Sequence, residues 1–199
     1  MPGDEKAAKQ SIRKQIQLLR EQLTPDTRAA HNAAITQRLL ARPEYQRAET
    51  VLGYMNFGSE YASDSWVEKV LGDGKSLILP RVNRHTNRLD LYRVNDLKNQ
   101  LAAGLWGIRE PIVERCERLN EINEVEFVLL PGIAFSRDGA RLGYGGGFYD
   151  KLLAYVPADT TLATAAFGLQ IVALIPQEST DVRVGWIVTE TETIDCSAT

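Results

Sequence analysis

The sequence predicts an α/β fold in one domain, residues 1–199: an open, mostly parallel sheet with helices on both faces, preceded by two N-terminal helices. Three observations predict it. Short apolar runs of strand length alternate with helical stretches along most of the chain, the order expected of a parallel sheet built from crossovers. Two helical patterns come before the first such run. The 199 residues, 44% of them hydrophobic and 25% charged, suit a single domain able to bury a substantial core without staples.

Taken in order, residues 5–23 read as a helix, because Ile12, Ile16, Leu19 and Leu23 recur at steps of four, three and four and share one face. A second helix restarts at Thr24-Pro25, a good N-cap followed by a residue suited to the first helical position, and runs through Ala33, Ala34 and Leu40 until Pro43. Residues 50–55 then read as a strand, 64–71 as a helix and 76–79 as a strand ending at Pro80, which makes a βαβ unit. Alternation predicts a strand over 89–94 and a short helix over 96–101. Residues 102–124 carry little pattern, punctuated by Gly104, Gly107 and Pro111, and read as a mobile flap. The apolar run 125–130 fits a buried parallel strand closed by Pro131-Gly132, and Asp138-Gly139 supplies a turn. Residues 148–155 begin another helix, and 161–167 and 186–188 are further strands.

Composition narrows the function. A net charge of -3 gives no bulk attraction to nucleic acid or anionic lipid, and no run approaches the roughly 18 apolar residues of a membrane span, so a cytoplasmic protein is expected. Cys116 and Cys196 have no metal-ligand spacing and read as free thiols. With only His31 and His85 and no G-x-S-x-G, a Ser-His-Asp machine has little to work with.

The chemistry concentrates at Arg141-Leu142-Gly143-Tyr144-Gly145-Gly146-Gly147-Phe148-Tyr149-Asp150. So many glycines make sense where successive N–H groups converge on an anion, or where the backbone must approach a ligand closely. The order strand, glycine loop, helix is the one in which α/β proteins bind ligands at the carboxyl end of a strand. Asp150 could then hold magnesium on the phosphate. Two better-known phosphate motifs fail. Gly74-Lys75-Ser76 lacks the first Walker glycine, since position 69 is Lys69, and the dinucleotide fingerprint needs glycine where Phe148 stands.

The glycine loop, with Pro131-Gly132-Ile133-Ala134-Phe135, Lys9-x-x-Ile12-Arg13, Glu60 after a strand, Pro80-Arg81, Trp106-Gly107-Ile108-Arg109-Glu110-Pro111 and Asp181, resembles the 5-formyltetrahydrofolate cyclo-ligase family over nearly the whole chain. The resemblance implies an ATP- and magnesium-dependent ring closure of 5-formyltetrahydrofolate to 5,10-methenyltetrahydrofolate, with release of ADP and phosphate, through a phosphorylated formyl oxygen. It implies nucleotide contacts at Lys9, Gln10, Ser11, Ile12 and Arg13, and at Arg141, Leu142, Gly143, Tyr144, Gly145, Gly146, Gly147, Phe148 and Tyr149. Arg141 and Tyr149 are the residues it implies at the reacting centre. Folate contacts are implied at Met55, Glu60 and Trp106, shared with Tyr144 to Phe148, and metal contacts at Asp150 and Asp181. A monomer acting on 5-formyltetrahydrofolate and ATP is expected. Some members of the family carry basic residues where Tyr144 and Gly146 stand here, which leaves fewer charges for a triphosphate. Fold alone would also fit a phosphosugar isomerase, a coenzyme A transferase or a non-catalytic nucleotide-binding regulator.

Overall fold

A computed structural model describes residues 2–178 and 181–198. Three helices lead: α1 (Pro2–Glu21), α2 (Pro25–Leu40) and α3 (Pro43–Arg47). The Thr24 side chain accepts from the Thr27 N–H and Pro25 opens α2, as the sequence predicts. The short α3 is not foreseen. It exists to seat Tyr45, 1% exposed, whose ring meets Phe127 edge-on at 5.9 Å.

The βαβ unit follows as β1 (Thr50–Leu52), α4 (Asp64–Gly72) and β2 (Ser76–Asn83), then β3 (Arg88–Val94). Next come β4 (Leu101–Ala103), β5 (Arg109–Pro111), β6 (Glu117–Leu119), β7 (Phe127–Leu130), β8 (Ala134–Ser136), β9 (Arg141–Leu142) and α5 (Phe148–Leu153). The chain finishes with β10 (Thr161–Ala165), β11 (Ile171–Val172), β12 (Trp186–Val188) and β13 (Thr193–Asp195). The main sheet runs β13-β12-β10-β7-β1-β2-β3-β6. Its inner strands β12, β10, β7, β1 and β2 are parallel, while β13, β3 and β6 join antiparallel at the two sides.

Alternation along these strands splits the core in two. Val51, Leu77, Leu79, Phe127, Leu129 and Val188 pack with Ile35, Leu39, Trp66, Val67 and Val70 of α2 and α4. Leu52, Ile78, Val128, Leu130 and Ile187 face the other side, covered by Leu153 and Tyr149 of α5 and by Val184. A third cluster docks Ile16 of α1 onto Ile133, Ala134, Ala140 and Leu142 of the small β8–β9 sheet. No described helix is long and apolar enough to cross a membrane.

Several expectations need correction. Strand β2 continues through Pro80, because its pairing with β1 ends at Ile78 and proline is tolerated where one side of a strand is an edge. Residues 96–101 form no helix. The Asp96 carboxylate accepts from the N–H groups of Lys98 and Asn99 and closes a local turn instead, before β4 begins. Residues 102–124 hold the β4–β5 hairpin and β6 rather than unpatterned coil. The buried face of α1 is also rotated from the one its leucines predict: Leu19 is 37% exposed, while Arg20 is 2% exposed.

The sheet places the site. From β1 the chain crosses to β2 on one side, while β7 lies on the other, so the strand order reverses between β1 and β7. The crevice beyond their carboxyl ends is where open α/β sheets receive ligands, and the segments after β1 and β7 enter it.

Candidate active site

The glycine loop leaves β9 and ends at Gly147, which precedes α5 with φ +64°; Gly145 has φ +93°. Both conformations are disfavoured for residues with a Cβ, which accounts for glycine at these two places. Arg13 of α1 stands over the loop, its Nε donating to the Gly143 carbonyl at 2.8 Å. A Cβ on Gly145 would lie 3.4 Å from Arg13 Nη2.

Beneath the loop, Arg141 is buried. Its Nη2 donates to Asp150 Oδ1 at 2.6 Å, Nη1 reaches the Pro131 carbonyl at 3.4 Å, and its Cζ lies 5.8 Å from the Tyr149 ring centre. The Nε of Arg141 is buried without a partner among the described residues. A buried donor left without an acceptor is unfavourable and uncommon.

On the other flank of the loop sits Glu60, 6% exposed. Its Oε2 accepts the Phe57 N–H and its Oε1 accepts the Tyr144 hydroxyl, each at 2.7 Å. Arg20 Nη2 donates in turn to the Tyr144 oxygen at 3.4 Å. Burial pushes the Glu60 carboxyl above its ordinary range, against the opposing pull of the Phe57 N–H, the Tyr144 hydroxyl and the Arg20 charge. The hydroxyls of Tyr54, Tyr144 and Tyr149 are all pushed up, first by burial and then by the charge of Glu60. Three tyrosines therefore share the field of one carboxylate. Phe57 meets Tyr144 edge-on at 6.2 Å, an aromatic pair at the rim of this side, the two residues 39% and 44% exposed.

Lys9, one turn before Arg13 on α1, contacts Glu178 Oε1 at 2.9 Å and Asp181 Oδ2 at 3.6 Å. The two carboxylates expected at a metal thus lie in different ion pairs, Asp150 with Arg141 and Asp181 with Lys9. No group of three or more His, Cys, Asp or Glu residues able to hold a metal occurs among the described residues. Magnesium does not require one, since it binds through one or two carboxylates together with phosphate oxygens and water. The hard oxygen donors of Asp150 and Asp181 fit that habit.

The remaining residues separate. Gln10 and Ser11 are exposed on α1, and Ile12 packs beside Ile16 in the third cluster. Leu142 is buried in the same cluster, and Gly146 is exposed, with Phe148 half-buried after it. Met55 is 7% exposed and packs in the core. Trp106 is 62% exposed at φ +58° in the β4–β5 hairpin. It lines a cleft of about 610 Å³ with Arg81, Arg84, His85 and Glu110, none of them from the glycine loop or the Glu60 segment. Sequence reasoning missed Arg20, Phe57 and Tyr54. Arg20 was within reach of it, because Lys9, Arg13, Ile16 and Arg20 follow steps of four, three and four and define the face that docks.

Comparison with known proteins agrees with this geometry. The description of the 5-formyltetrahydrofolate cyclo-ligase family matches residues 5–190. A 5-formyltetrahydrofolate cyclo-ligase of Haemophilus influenzae is 27% identical over 180 residues, 87% of this chain and 93% of that protein. The solution structure of Aquifex aeolicus 5,10-methenyltetrahydrofolate synthetase superposes with a TM-score of 0.82 at 31% identity, covering 94% of this chain and 92% of that one. A Mycoplasma pneumoniae 5,10-methenyltetrahydrofolate synthetase, at 20% identity and TM-score 0.74 over 92% of this chain and 98% of that one, shares the fold. With the glycine loop, the α1 cations and the buried glutamate gathered at one switch point, and with the match extending over nearly every residue, the chain belongs to the 5-formyltetrahydrofolate cyclo-ligase family.

Proposed function

We propose that this protein closes 5-formyltetrahydrofolate to 5,10-methenyltetrahydrofolate, using ATP and magnesium and releasing ADP and phosphate. One observation carries the reading. The same loop is bonded to Arg13 through the Gly143 carbonyl on one side and to Glu60 through the Tyr144 hydroxyl on the other, so a phosphate in the loop and a pterin at Glu60 would be neighbours.

In the proposed reaction the formyl oxygen attacks the γ-phosphorus and displaces ADP. N10 then attacks the formyl carbon, loses its proton, and phosphate departs with the former formyl oxygen. No protein nucleophile is needed, so the residues bind, align and neutralise. The amides of Gly143 to Gly147 and the cations Lys9, Arg13 and Arg141 would hold the phosphates, and the buried Arg141 would meet the charge that develops during transfer. Magnesium would be held by Asp150 and Asp181 and would supply charge neutralisation on the phosphate oxygens. Glu60 would accept from the N3–H and 2-amino group of the pterin. Tyr149, half-buried between Arg141 and the field of Glu60, would keep its proton and donate a hydrogen bond at the reacting centre.

The test is the near-ultraviolet absorbance of the methenyl product in purified protein given 5-formyltetrahydrofolate, magnesium and ATP. Product that forms only with ATP supports the reading. Absence of product while ATP still binds would make the protein a nucleotide-binding regulator instead.

A further inference from the structure

We propose that Arg20 is a positioning residue for substrate: from the buried face of α1 its guanidinium serves, through the Tyr144 hydroxyl, as the fixed counter-charge that orients the Glu60 carboxylate. The inference rests on the proposed role of Glu60 as pterin acceptor. Three observations carry it.

Arg20 is 2% exposed, and its Nε and Nη1 are buried with no partner among the described residues. A guanidinium keeps its charge, and burying it half-satisfied is unfavourable unless a compensating charge lies close. Its described side-chain bond is to Tyr144, whose proton is given to Glu60. The cation and the carboxylate thus face one another across a single hydroxyl. The placement is also enforced from a third element. Arg28 of α2 donates to the Arg20 carbonyl through Nη2 and to the Ser59 carbonyl, at 2.8 Å, through Nη1. One side chain therefore fixes the end of α1 to the segment that carries Glu60.

Around Glu60 the other groups are Tyr54 and Tyr61 from its own segment, Tyr144 of the glycine loop, Tyr149 of α5, Arg141 behind Tyr149, and Arg28 above Ser59. Tyr61 is engaged by Thr36, and Arg141 by Asp150. Arg20 is the cation in this set whose charge acts on Glu60 against the effect of burial. Without it the carboxyl would protonate at higher pH and offer a pterin one acceptor oxygen fewer.

The experiment replaces Arg20 and follows Glu60 directly. In protein carrying 13C-labelled glutamate carboxyls, with the Glu60 signal assigned through Glu60→Gln, Arg20→Gln should move the Glu60 titration up by about one pH unit. In the cyclisation assay the same variant should raise KM for 5-formyltetrahydrofolate by up to about tenfold on the acid side of the Glu60 titration, the factor that one pH unit sets, and by less at neutral pH, with kcat within about twofold. Arg20→Lys should restore part of both effects. A folded Arg20→Gln protein with an unmoved Glu60 titration overturns the inference. If that variant does not fold, Arg20→Met, which fills the volume without charge, is read in the same way. Wild-type protein that makes no methenyl product would defeat the folate reading, whereas the titration still judges the link between Arg20 and Glu60.

Discussion

Gly147 and Gly74 allow the backbone role of the glycine loop to be separated from simple strain. Both residues are left-handed, at φ +64° and +74°, and at both a Cβ would meet nothing within 4 Å. They differ in place: Gly147 opens α5 at the carboxyl end of the sheet, while Gly74 lies in the turn before β2, at its amino end. Alanine at either position carries about 1–2 kcal/mol of left-handed strain. Restricting the unfolded chain returns about 0.4–1 kcal/mol. The net loss of stability is therefore at most roughly 1.5 kcal/mol, or up to about 6 °C in Tm for a domain of this size, and reaches that limit where the alanine stays left-handed. Nucleotide affinity has no such offset, because the unfolded chain takes no part in it. Where phosphate binding demands the left-handed turn and the substituted alanine relaxes out of it in the free protein, the strain leaves the stability and is restored on binding, so Gly147→Ala loses up to the whole of it, about 5- to 30-fold in Kd. Gly74→Ala should bind as wild type does. Calorimetric titration with magnesium-ATP and thermal denaturation of both variants provide the measurement. Wild-type affinity in Gly147→Ala together with a loss of Tm smaller than that of Gly74→Ala, the sign that its alanine has relaxed, would refute a phosphate role for the amides around Gly147.

Three further outcomes are expected. Arg141→Ala should slow the ATP-dependent step by about 2–4 kcal/mol of transition-state stabilisation, read as the loss of kcat/KM in the absorbance assay. Asp150→Asn should raise the magnesium concentration needed for half-maximal rate by about tenfold with an unchanged circular dichroism spectrum, as a lost ligand would; an unchanged magnesium requirement would remove Asp150 from the metal. Glu60→Gln should gain stability relative to wild type as pH rises from about 4 to 7. The sign follows from the raised carboxyl: its protonated form stabilises the fold below the ordinary carboxylate range, and that contribution is lost as pH climbs through the folded value. A constant difference in Tm across this range would show that Glu60 titrates normally.

What the sequence made legible was local. Thr24-Pro25 starts a helix whatever surrounds it, and the apolar run before Pro131 forms a strand because both of its faces are buried. The rotation of α1 was not legible, since the leucine stripe assumes an apolar partner, and the surface it meets is a β8–β9 sheet flanked by a polar loop that takes Arg13 and Arg20. The glycine loop announces itself through residues that tolerate left-handed backbone. Its bond to Glu60 spans 84 positions and leaves no periodic trace. Met55 and Trp106 show the same limit from the other side: their letters match the family, but nothing in them tells that the fold seats one side chain in the core and the other on a hairpin.

The charges of the site decide which cation a nucleotide can use. A chain of net charge -3 gives little long-range attraction to a polyanion, so the attraction must be local. Most of the local cations are already engaged. Arg141 is held by Asp150, and Arg20 faces Glu60 through Tyr144. Lys9, its side chain 13% exposed, is paired with Glu178, at 66%, and with Asp181, at 20%; of the two acids Glu178 is the one open enough to water to be readily exchanged. Arg13 is different. It makes no salt bridge among the described residues, and its described side-chain bond is to the neutral Gly143 carbonyl, with its guanidinium over Gly145. An arriving phosphate would have to separate Lys9 from its acids but would meet the charge of Arg13 uncontested. For that reason Arg13, fixed by its own hydrogen bond to the loop, is the side chain on α1 from which a triphosphate would gain most.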